Sequence, residues 1–259
     1  MKYNHNFHMV NFSPWPLISS ISLLLLMISN TMMFYNKFNI FIVLFTMSMI
    51  LIMYQWWRDI IRESTYQGLH SFNIVHLLKM GMVLFITSEI FFFISFFWSF
   101  FHFSLSQILD LGMMWPPMGI INFNPFLIPL LNTIILISSG ISVTWAHHSL
   151  INNLYTEYYK SMVITLFLGL YFSLLQGYEY LEAPFDFADC SFGSVFYLAT
   201  GFHGIHVLIG TFFLFICLLR KLYIHFSMFH HFGFEAAAWY WHFVDIVWLF
   251  LFVTVYWWN

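Results

Sequence analysis

Seven long apolar stretches, broken by short polar segments, organise this chain. They cover about residues 15–34, 38–57, 75–101, 126–148, 159–180, 191–219 and 234–257. Each is near the 20 residues that a helix needs to cross a bilayer. In hydrocarbon an unsatisfied backbone group is costly, so a chain this apolar crosses as helices or as a closed barrel. Continuous apolar runs, rather than short alternating ones, favour helices. The first two spans are separated only by "YNK", a tight hairpin, and proline and asparagine mark other breaks, as in "WPPMGIINFNPF" from Trp115 to Phe126. The predicted fold class is an all-α membrane protein of seven transmembrane helices.

Composition agrees. The chain is 61% hydrophobic, 23% aromatic and only 7% charged, against roughly 25% charge in a soluble domain. A net charge of -3 offers no basic face, and no zinc-finger or phosphate-cradling motif is present, so nucleic acid is not an expected partner. Cys190 and Cys217 stand in no metal or redox spacing and are expected to be small buried hydrophobes. The opening "MKYNHNFHMVNFSPWP" has no small-residue cleavage pattern, so residues from Ile18 to Phe34 are expected to be a retained first span, not a signal peptide.

Charge then orients the spans. Lys2, Arg58, Arg62, Lys160, Arg220 and Lys221 fall on the N-terminal side, with Lys79 just inside the third helix. The opposite side carries Lys37 with Asp110, Glu182, Asp186 and Asp189. Basic loops stay inside, which places the N-terminus in the cytoplasm or its mitochondrial equivalent, the matrix, and the C-terminus across the membrane. Tyr256, Trp257 and Trp258 form an aromatic anchor at the far interface.

After the second span comes "YQWWRDIIRESTYQGLH". Continued as an amphipathic helix, it pairs Asp59 with Arg62 but sets Arg58 against Arg62 and Asp59 against Glu63 at like-charge i,i+4 spacing. Arg58 or Arg62 is therefore available to an anionic lipid headgroup, with Trp56 and Trp57 at the interface. Plain loop structure and topology setting is an equal reading.

The informative residues are ionisable groups inside the spans. Glu89, in "FITSEIFFFISFFWSF", lies roughly 21 Å beyond Val75 at 1.5 Å per residue. A carboxyl at that depth must pair, accept hydrogen bonds or keep its proton. His203 and His206, in "YLATGFHGIHVLIG", lie at a matching depth, and Asp245 follows His242 by one near-turn in the last span. Glu89, His203, His206 and Asp245 are thus expected to form a buried polar network that fixes helix packing. Proton handling, haem or metal ligation and solute transport remain open alternatives.

Ala199, Gly201, Gly204 and Gly210 thin the sixth span, and Ala236, Ala237 and Ala238 the start of the seventh, for close helix approach. On the loop side, "WAHHSL" holds His147 and His148, while His225, His230, His231 and Glu235 precede and open the last span. Lipid phosphate or interfacial hydrogen bonding, capping, and binding of a cation are all readings of that face, cation binding being the least favoured. Glu235 is partly explained by the helix dipole.

The stretches "SPWPL", "YQWWRDIIREST", "SEIFFF", "WPPMGI", "VTWAHHSL", "LQGYEYLEAPF", "ATGFHGIHVLIG" and "HHFGFEAAAWYWHFVDIVWLFLFVTVYWW" closely resemble subunit III of the haem-copper cytochrome c oxidases, in its mitochondrially encoded form. The resemblance runs from Ser13 to Trp258. It implies helices 1 and 2, within residues 1–74, separated from a five-helix bundle, residues 75–259, by a lipid-filled cleft. It implies no cofactor, metal or catalytic residue in this chain. Haem and copper belong to partners: catalytic subunit I as the main contact, subunit II with its dicopper site, and small accessory subunits. The assembled complex reduces oxygen to water with electrons from cytochrome c and pumps protons across the mitochondrial inner membrane. This subunit is implied to stabilise the catalytic one, to support proton uptake and to hold structural phospholipids. Glu89 resembles the family's buried glutamate, with His206 as its candidate partner. Trp57, Arg220 and His230 resemble lipid-associated positions, to which the loop argument adds Arg58. Glu89 is expected to be protonated at neutral pH. The alternatives are a standalone transporter or channel, or the equivalent subunit of a quinol oxidase.

Overall fold

A computed structural model describes residues 7–35, 40–107, 109 and 112–258. Lys2, Lys37 and Asp110, used above in the charge pattern, lie outside the described residues, as does most of the "YNK" turn. The helices are α1 (Trp15–Met33), α2 (Ile40–Thr65), α3 (Phe72–Leu105), α4 (Ile128–Ile151), α5 (Tyr155–Glu182), α6 (Ser191–Leu222) and α7 (Phe232–Leu251). A π-helical segment, Phe252–Trp257, continues α7. Among the described residues, seven helices are long and apolar enough to cross a membrane.

The largest departure from expectation is α2, which continues through "YQWWRDIIREST" to Thr65. No breaker interrupts it before Gly68, whose φ of +62° sets the reversed conformation that closes a helix. There Leu69 N–H donates back to Glu63 O at 3.0 Å, which satisfies one of the last carbonyls of the helix. A second helix closes near Asn153 (φ +57°), which ends the turn after α4 and lets α5 start two residues later.

The chain divides into two compact units, Met1–Leu78 and Lys79–Asn259. In the first, α1 packs on α2: the Ser22 hydroxyl lies 2.7 Å from Met49 Sδ, and Trp15 Nε1 donates to Asp59 Oδ2 at 2.7 Å. Almost every other side chain of these helices is at least partly exposed.

In the second unit α5 packs beside α4 and α6, while α7 packs beside α4 and α6. Its centre is Trp241, fully buried on α7. A Cβ at Gly169 would meet Trp241 Cη2 at 2.8 Å, and one at Gly210 would meet Cε3 at 2.9 Å. Trp241 Nε1 donates to Ser139 Oγ of α4 at 2.9 Å. One indole therefore locks four helices, because two of them present only a hydrogen atom to its ring. In lipid no hydrophobic drive exists between helices, so close packing of this kind holds them. Ala236, Ala237 and Ala238 are buried, and Gly210 has the packing role predicted for it, whereas Gly204 has nothing near its Cβ position. The segment of α3 in this unit approaches α6 and α7 through long aromatics: Phe92 and Phe96 against Phe202, and Phe85 against Tyr240.

Candidate functional site

The mid-span residues separate into three arrangements. The first joins α3 to α6: Glu89 Oε2 lies 3.0 Å from His206 Nε2. The other ring nitrogen of His206, Nδ1, lies 2.6 Å from Phe202 O. A carbonyl oxygen only accepts, so Nδ1 carries a hydrogen. The Glu89 contact then needs one more proton, held by the acid as a neutral pair or by the imidazole as an ion pair. Phe93 and Tyr240 pack against the imidazole ring, while neighbouring Phe91 and Ile90 point outward. The pair can hold a proton and tie two helices together.

His203, fully buried, turns away from this pair. Its Nε2 donates to Val244 O of α7 at 3.2 Å, and its ring packs on Phe172 and Trp248. Asp245 faces α4 instead: its Oδ2 is 3.8 Å from His242 Nδ1 and lies where Gly140 leaves space for it. Among the described residues no direct hydrogen bond or ion pair joins Glu89 and His206 to His203 or Asp245. The four expected members of one network thus fasten three different helix contacts. Their depths were readable from the sequence, but the direction in which each faces around its helix was not.

The four residues expected to meet lipid fall in different units. In the first, Trp57 is half exposed, and Arg58 holds Asp59 Oδ1 through Nε at 3.2 Å and Nη2 at 3.0 Å. Arg62 sits 3.8 Å from the same oxygen with its side chain 53% exposed, so it is the guanidinium more open to a headgroup. Glu63, the expected like-charge neighbour of Asp59, is occupied by His8 Nε2 at 3.3 Å. In the second unit the Arg220 guanidinium lies over the Phe226 ring, 4.4 Å from its centroid, and against the backbone of Gly233, where any Cβ would collide with it. Among the described residues no carboxylate forms an ion pair with Arg220. Burial first, and the Arg220 charge second, push His225 and His230 below the ordinary histidine value of 6.5. Both imidazoles are therefore neutral neighbours of a fixed cation at neutral pH.

Two clusters were missed or under-read. Glu179 of α5 is fully buried, and its carboxyl faces the Tyr256 hydroxyl. Gln176, one turn earlier, buries its amide as well. The signal was present in "LLQGYEYLE", as two polar residues three positions apart on one helical face. On the loop side His147, His231, Glu235 and Lys79 come together: His147 Nε2 is 3.3 Å from His231 Nε2, which is 3.3 Å from Glu235 Oε1. Lys79 makes an ion pair with Glu235 Oε2. The dipole explanation of Glu235 was thus incomplete.

The family model for cytochrome c oxidase subunit III matches residues 5–259. The chain belongs to this family. Among its relatives, the cytochrome c oxidase subunit 3 of Anopheles quadrimaculatus is 59% identical over 256 residues, 99% of this chain and 98% of the relative. That of Drosophila melanogaster is 59% identical over 257 residues, with the same coverage. That of the ape Pongo abelii is 55% identical over 256 residues, again 99% and 98%. A subunit III chain thus carries both the Glu89–His206 contact and the Arg220 region.

Proposed function

We propose that this chain serves as the non-redox subunit III of a mitochondrial cytochrome c oxidase, the complex that reduces oxygen to water with electrons from cytochrome c and pumps protons. The observation that carries the reading is the match to subunit 3 relatives of animals, which covers residues 5–259 of the chain. The wide apolar faces of α1, α2 and α3 support it, since such faces need lipid or partner helices to cover them.

In this reading the catalytic subunit, with its haems and copper, is the main neighbour, and the dicopper subunit and small accessory subunits complete the assembly. The chain crosses the inner membrane with its N-terminus in the matrix and its C-terminus in the intermembrane space. It stabilises the catalytic subunit and supports proton uptake. Phospholipid phosphate binds at Arg220 with His230 beside it, and Trp57 with the Arg58–Arg62 segment meets further headgroups. Support for the Arg220 site is a guanidinium held in place by Phe226 and Gly233 with no carboxylate partner among the described residues. A planar guanidinium matches phosphate oxygens two at a time.

Gentle detergent extraction followed by optical spectroscopy and identification of bound partners tests the assignment. Copurification with a haem-bearing oxidase is expected. Isolation of the chain without haem proteins, together with solute transport by the reconstituted chain alone, would overturn it.

A further inference from the structure

Beyond that role, the histidine face where α4 ends and α7 begins has the geometry of a metal site. His231 Nδ1 lies 3.1 Å from Ser227 O, so that nitrogen donates its hydrogen to the carbonyl. The neutral ring must then direct the Nε2 lone pair inward. That lone pair faces two further ligand atoms, His147 Nε2 and Glu235 Oε1, each at 3.3 Å. A lone pair aimed at a carboxylate oxygen is repulsive unless a positive centre lies between them. A proton is one such centre and a metal ion is the other.

The distances suit a metal as well as a hydrogen bond. Ligand atoms 2.0–2.1 Å from one tetrahedral zinc ion are about 3.3 Å apart. Both measured edges have that length, and the three ligand atoms all lie within 4.8 Å of one another. Small rotations of the Glu235 carboxylate would close the remaining edge. The supporting contacts are also those of a ligand set: the Ser227 carbonyl fixes the His231 tautomer, and Lys79 holds the second oxygen of Glu235. Two imidazoles and one carboxylate leave a fourth position for water.

We propose that His147, His231 and Glu235 form a binding site for a divalent zinc-type cation at the loop-side end of α4 and α7. The ion would tie the end of α4 to the start of α7 and is not redox-active, so it adds to the subunit's role without making it an electron carrier. The fixed charge of Lys79 beside Glu235 lowers the affinity below that of a like site with no cation nearby.

The test uses the intact oxidase complex, treated with chelator and then equilibrated with low-micromolar zinc chloride. Diffraction at the zinc absorption edge should give an anomalous peak between the two Nε2 atoms and Glu235. No peak there at saturating zinc would overturn the proposal and favour a proton on His231. In equilibrium dialysis His231→Gln should lose about one equivalent of bound zinc, and Glu235→Gln should weaken that equivalent at least tenfold. The separate trio His8, Glu63 and His70 supplies the control. Loss of the equivalent in Glu63→Gln but not in His231→Gln would also overturn the assignment.

Discussion

Glu89 Oε2 and His206 Nε2 meet 3.0 Å apart, although 117 positions separate them in the chain. Because His206 Nδ1 is committed to Phe202 O, the contact between the two side chains needs one shared proton. Glu89→Gln keeps a donor for Nε2 and should cost less than about 1 kcal/mol, whereas Glu89→Ala strands the imidazole nitrogen and should cost about 1–3 kcal/mol. The thermal midpoint of the assembled complex measures the difference. Infrared spectra add an independent check: a carboxylic-acid carbonyl band should vanish in Glu89→Gln, and its persistence would place the proton on His206.

Trp241 gives the second prediction. Gly210→Val puts a side chain into the indole and should destabilise the second unit by about 1–3 kcal/mol through overpacking. Trp241→Ala should cost more, about 3–5 kcal/mol, because it empties the space shared by four helices. Both would lower the amount of assembled oxidase. Gly204→Ala, with nothing within 4 Å of its Cβ position, is the control and should assemble normally.

The Arg220 site is checked by lipid retention. Arg220→Gln should reduce tightly bound phospholipid in native mass spectra, and Gly233→Ala should do the same by displacing the guanidinium without removing it. Equal retention in both variants would count against phosphate binding there.

Acid should weaken the same region. His225 and His230 hold protons less tightly in the folded chain than in the unfolded one. Their stabilising contribution is therefore complete above the ordinary histidine value of 6.5 and is lost as pH falls below it. Thermal midpoints measured downward from neutral pH should drop, and less steeply in Arg220→Met, which removes one cause of the shift. Identical slopes would remove Arg220 from the account.

The amino-acid sequence determined the number of spans, their approximate limits and the depths of Glu89, His203, His206 and Asp245. These are one-dimensional quantities: hydrocarbon demands about 20 apolar residues per helix, and 1.5 Å per residue converts position into depth. Even the helical extension of α2 was open to reading, since only Gly68 offered a stop. The family resemblance was legible for a similar reason, being carried by contiguous stretches. Only the tertiary structure decided which groups meet. Glu89, His203 and Asp245 sit at workable depths for one network, yet helix rotation sends them to His206, the Val244 carbonyl and the Gly140 side of α4. The same holds for His147, His231 and Glu235, and for the indole of Trp241 among Gly169, Gly210 and Ser139. An apolar helix has no strongly polar face to announce its orientation, so neighbours are selected by shape and by a few hydrogen bonds, and these exist only once the helices have packed.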